Sequence, residues 1–171
     1  GGITAGSVVE INNVITKTAS LNSILDAAMA DATAAQAASN ITDASDSLNA
    51  IISAVPSIQA LAEEIADHAD QAETANTSSF PKITSGSNSV ITAANNIDTW
   101  ATSIGDNATQ ASAQANKELA NMWIDLAAAT LGVARNGNPN IGSGSADIYN
   151  TGQDLASLEI NAGDASYITA A

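Results

Sequence analysis

Cysteine is absent from the 171 residues, which excludes disulfides and thiolate chemistry and leaves the redox compartment open. Aromatic residues make up only 3%, and Phe80, Trp100, Trp123, Tyr149 and Tyr167 are the full set. Without large rings a thick globular core is hard to fill, so thin packing through small side chains is expected. Basic residues are also scarce, with Lys17, Lys82, Lys117 and Arg135 scattered along the chain. No basic stripe exists to neutralise phosphates, which argues against nucleic acid as a partner. Set against 18 Asp and Glu, these four leave a net charge of -14, a balance that repels anionic membranes and disperses the chain in water. No apolar run reaches membrane-spanning length and no basic-then-apolar signal segment is present, so membrane insertion is not expected. The sequence opens on Gly1-Gly2 rather than Met, which suggests a processed product or an excerpt of a longer protein, and its close on Ile-Thr-Ala-Ala reads as a truncated excerpt.

What is present is a ladder. Ile41, Ala44, Leu48, Ile51, Val55, Ile58, Ala62, Ile65, Ala69 and Ala72 stand alternately three and four apart with no polar exception. That spacing puts them on one side of a helix and makes a seam for another helix to meet. An earlier stripe, Ile11, Ile15, Thr18, Leu21, Leu25, Ala28, Ala32, Ala35, predicts a first helix from Val8, capped by Ser7 with Glu10 three residues on. It could run on toward Ala54, although Ala35 to Ile41 is a step of six and implies a rotated seam or a stutter. Pro56 lacks the N–H that would bond Ile52 and disfavours helix at Val55, which predicts a kink or restart there. Because the phase survives the proline, a kinked rod or two nearly collinear helices are expected rather than a reversal. Residues 76–87 read as a loop.

A second seam follows from Ser87 to about Leu131: Val90, Ala94, Ile97, Ala101, Ile104, Ala108, Ala111 and Ala115. Glu118 interrupts it, and Leu119, Met122, Leu126 and Ala129 resume it one position over. Gly105 inside this helix should cost about 1 kcal/mol against alanine. From Gly132 the glycine content rises, so residues 132–171 read as an irregular tail behind one helical region, 1–131, with breaks near 56 and 76–87.

Candidate chemistry is thin. Glu63, Glu64, Asp67, Asp70 and Glu73 crowd adjacent turns, but lack the glycine-turned ligand loop of a cation site and read as a solvated face. His68 has no second histidine and no cysteine to work with. Trp100 and Trp123 fall on or beside the second seam and read as packing knobs. Gly142-Ser-Gly-Ser145 lacks a phosphate-loop lysine, and no Gly-x-Ser-x-Gly elbow occurs. No catalytic residue, cofactor or metal ligand is assigned, and an enzyme is not expected.

The stretches Ile91-Thr-Ala-Ala-Asn-Asn-Ile-Asp-Thr-Trp-Ala101 and Ser103-Ile-Gly-Asp-Asn-Ala-Thr-Gln110, with the Ala/Ser/Thr/Asn-rich run 27–44, resemble helical shaft segments of tailed-phage tail fibres, those of marine and cyanobacterial phages in particular. The resemblance covers residues 8–131 in style. It implies parallel homotrimers joining a virion anchor to a receptor-binding tip, and carries no functional residue onto this chain. The expectation is therefore an all-α, elongated helical rod or coiled coil, or a long-helix bundle, in a virion or another extracellular setting. Its assembly seam would be Ile41, Leu48, Ile51, Val55, Ile58, Ile65, Val90, Ile97 and Ile104. Its partners would be copies of itself and other virion or filament proteins. The alternatives are an extracellular filament or surface-layer subunit whose helices fold back, setting Ile51 and Ile65 against Ile97 and Ile104, and a small helical binding module.

Overall fold

Alanine and unbranched aliphatic residues lose little side-chain freedom in a helix, and this chain is full of alanine. The computed structural model describes residues 4–76, 81–137, 144 and 147–150. Four long helices carry it: α1 (Ala5–Ala37), α2 (Ile41–Ala75), α3 (Pro81–Ser112) and α4 (Lys117–Gly132), the last running into a π turn, Val133–Gly137. No strand occurs among the described residues.

Several breaks differ from expectation. The step of six between Ala35 and Ile41 is neither a stutter nor a rotated seam: α1 ends at Ala37, and α2 starts afresh. Asn40 caps α2, its Oδ1 accepting the Asp43 N–H at 2.8 Å while its Nδ2 donates to Asp43 Oδ2 at 3.0 Å. No restart occurs near 56, since α2 runs through Pro56. The proline stands on the exposed side, where its ring meets solvent and not a neighbouring helix. The single helix expected from Ser87 to about Leu131 is two. Asn116, extended at φ -152°, caps α4 by accepting the Leu119 N–H. At its other end α3 begins at Pro81, six residues inside the expected loop, with proline at the first helical position where its missing N–H costs nothing. Of the Gly-rich tail, residues 138–143, 145, 146 and 151–171 lie outside the described residues. Residues 133–137 are helical and not irregular.

The chain divides into two compact units, neither of them a continuous stretch of sequence. The first draws on 1–19, 63–95 and 139–171. Within it α1 and α2 run antiparallel, tied at Thr4–Ala75, Ser7–Ala72, Glu10–His68 and Lys17–Glu64. The expected capping box at Ser7 and Glu10 is absent, because both side chains reach across to α2 instead. Thr4 does the capping: its Oγ1 accepts the Ser7 N–H at 3.0 Å and donates to the Ala75 carbonyl at 2.6 Å, while Ser7 Oγ donates to the Ala72 carbonyl at 2.7 Å. Two carbonyls of the last turn of α2, which have no onward helical partner, are thus satisfied by the first turn of α1. Ile11, Val14, Ile65, Ala69, Ile83 and Val90 form much of its buried interior. Val14 takes the inward place assigned to Ile15, which is half-buried.

The second unit draws on 20–62 and 96–138. Gln59 Nε2 donates to Thr102 Oγ1 at 3.2 Å, and Val55 lies against Gly105, so α2 and α3 run antiparallel there. Gln36 reaches Asp125 at 2.9 Å and Arg135 reaches Asp26 at 2.6 Å, which sets α1 and α4 antiparallel as well. Leu21, Leu25, Leu48, Ile51, Ile58 and Ile124 are among its large buried side chains, interleaved with alanines that are fully buried. This is helical-bundle packing with small residues letting backbones approach.

Candidate interaction surface

The seam residues named from sequence are used inside the chain. Leu48, Ile51, Ile58, Ile65, Val90, Ile97 and Ile104 are buried by it, and Ile41 and Val55 are half-buried. Gly105 explains how tightly α3 comes to α2: a Cβ there would lie 3.2 Å from Val55 Cγ2, so the glycine that weakens the helix also admits its neighbour.

Part of the acidic cluster on α2, with His68 among it, is tied into its own unit. Glu64 pairs with Lys17 at 3.0 Å, Asp67 accepts from Gln71 at 2.7 Å, and His68 Nδ1 meets Glu10 Oε2 at 2.5 Å. Among the described residues no group of three or more His, Asp or Glu is placed to hold a metal ion. In the second unit, shallow surface grooves are lined by Asp98, Thr99, Thr102 and Ser103, and by Ile41, Thr42, Ser45, Asp46 and Ser112. Among the described residues no helix is long and apolar enough to cross a membrane.

α4 departs most from its sequence reading. The resumed seam, Leu119, Met122, Leu126 and Ala129, does not face inward. Lys117, Ala120, Ile124, Ala127 and Leu131 do. Leu119 is 55% exposed, Met122 58%, Leu126 44% and Val133 42%, and Ala129 is exposed with them. These five stand three, four, three and four apart, an apolar ridge along the solvent side of the helix. Beside the ridge runs a groove lined by Trp100, Ser103, Ala129, Thr130 and Val133. Both tryptophans are half-buried, Trp123 flanking the ridge and Trp100 lining the groove. Sequence reasoning placed the ridge residues on a seam but on the wrong side, because α4 carries two apolar stripes. The smaller one, with two alanines, is the one that fits between close-packed neighbours.

Comparison with protein-family models, with characterised proteins and with solved structures gives no match to this chain.

Proposed function

We propose that the chain is a non-enzymatic structural subunit that folds back into helical bundles and assembles with further copies in an extracellular filament or surface layer. The observation that carries this reading is where the ladder is used. Its large residues, Leu48, Ile51, Ile58 and Ile65, are at most 1% exposed within a single chain, and the partners named for α2 across the seam are the chain's own α1 and α3. A tail-fibre shaft of parallel trimers would need that same seam free to meet its counterpart in other chains. The acidic surface and a core of small residues suit a dispersed, repetitive building block more than a cleft that binds and turns over a substrate.

The absence of cysteine makes the test clean. A Cβ at position 105 would lie 3.8 Å from the Cβ of Val55, the usual separation in a disulfide, so the double variant Val55→Cys, Gly105→Cys should oxidise within one chain. Non-reducing electrophoresis would show a monomer of altered mobility. Val55→Cys alone linking to its counterpart in another chain would instead sink the folded-back bundle and favour the shaft. Assembly is read separately, by sedimentation and electron microscopy of the unmodified chain across concentration and salt. Ordered filaments or sheets are expected, and a monomer under every condition would overturn the structural role.

A further inference from the structure

The ridge on α4 needs an explanation that its packing among the described residues does not supply. Single exposed apolar residues are ordinary on a protein surface, as Val9 is in the first unit. Five in three-four register along α4 and the π turn it runs into are not, because α4 is apolar along most of its packed side and again along the side that faces water. The register is the one that a second helix reads: residues at alternate spacings of three and four interdigitate with the same pattern on a partner lying alongside.

The electrostatic surroundings of the ridge say which kind of helix fits. Glu118 and Asp125 are exposed and stand immediately before Leu119 and Leu126, on one flank of the ridge. Asp125 is held by Gln36 of α1, and Asp26 of α1 stands at the far end beside Arg135. The second unit holds eight Asp and Glu against two bases. Both bases are spoken for: Lys117 is buried and donates to Asn121, and Arg135 pairs with Asp26. An incoming helix therefore meets a unit in which carboxylates outnumber bases four to one. A second copy of the chain brings only more acid, since its four bases are dispersed and none forms a basic helix face.

We infer that the Leu119–Met122–Leu126–Ala129–Val133 ridge is a docking surface for an amphipathic helix of another protein. That helix carries aliphatic residues at three-four spacing and Lys or Arg along its flanks. The apolar stripe supplies the contact and the acidic flank sets the sign of the partner. The half-buried Trp123 and the groove beside Trp100 and Val133 give its large side chains a place to seat. This surface does not depend on the filament reading, and it stands or falls by its own test.

The test uses the intact chain and two synthetic amphipathic peptides of about three heptads, identical in their leucine seam, one flanked by lysine and the other by glutamate. Tryptophan fluorescence and calorimetry should show the lysine peptide binding at least tenfold more tightly than its glutamate twin. Raising NaCl from about 0.05 to about 0.5 M should weaken it about tenfold more. The double variant Leu119→Ser, Met122→Ser should lose at least tenfold in affinity while its circular dichroism and melting curve stay unchanged, since both side chains are more than half exposed. Val9→Ser, on the first unit, should bind like the parent. No binding of the lysine peptide, equal binding of both peptides, or binding that survives the double variant would overturn the inference. So would self-association, or adsorption to phosphatidylserine vesicles, that the double variant abolishes.

Discussion

Gly86 shows how finely small residues set this interior. A Cβ added there would run into the side chain of Ile148, which is fully buried, and would also come 3.2 Å from the Gly144 carbonyl oxygen. In a helix alanine normally gains about 1 kcal/mol over glycine, but here the overlap with a buried isoleucine outweighs that gain. Gly86→Ala should therefore destabilise the protein by about 1 to 3 kcal/mol, measured by urea denaturation. At Gly105 the neighbour is the half-buried Val55, whose Cγ2 would lie 3.2 Å from an added Cβ. Ser7 makes the complementary point for polar groups. From its sequence position it reads as a helix cap, yet its hydroxyl leaves the local backbone and serves the Ala72 carbonyl 65 residues away. A hydroxyl has the same hydrogen-bonding capacity in both roles, so local sequence could not tell them apart.

At the scale of the element, the three-four spacing made helices legible along nearly all of 8–131, and α2 carries its ladder inward much as written. The ends were harder. Asn40 and Asn116 both cap helices, but in a chain dense in asparagine, serine and threonine such residues are too common to mark a boundary by themselves. Pro56 was the strongest local signal, and the helix does not restart there, because the rule concerns cost and α2 bears the cost. One backbone bond is lost on a solvent-facing side while Ile51, Ile58, Ala62 and Ile65 remain buried on the other. Pro56→Ala restores the bond to Ile52 and removes the ring, and should raise stability by about 1 to 3 kcal/mol. A lower melting temperature for that variant would mean that the proline ring itself stabilises α2. The face of α4 was illegible for a different reason: the stripe richer in leucine and methionine is the exposed one. Hydrophobicity ranks faces by transfer energy, whereas burial here follows the close approach that Ala120 and Ala127 permit.

For the whole molecule, charge dominates what solution conditions can do. With a net charge of -14 and only three ion pairs among the described residues, like-charge repulsion opposes the folded state. The two pairs made by Lys17 and Arg135 join half-exposed partners, and such pairs contribute little when screened. Adding salt should therefore help more than it hurts. Raising NaCl from about 0.02 to about 0.5 M should increase the melting temperature by a few degrees, read by circular dichroism, and a fall would show that the ion pairs outweigh the repulsion.

Neither compact unit is a continuous piece of chain, and this has a consequence in time. Asp26 meets its partner Arg135 across 109 residues, and Thr4 meets Ala75 across 71. At a synthesis rate of about 5 to 20 residues per second, α1 must wait roughly 5 to 20 s after Asp26 is made before Arg135 even exists. During that interval its inner stripe, Leu21, Leu25, Ala28, Ala32 and Ala35, has no α4 to cover it. A stripe that tapers from leucine to alanine offers nascent chains and chaperones little to grip, so the modest side chains that pack these helices closely also keep the unfinished protein from sticking while it waits.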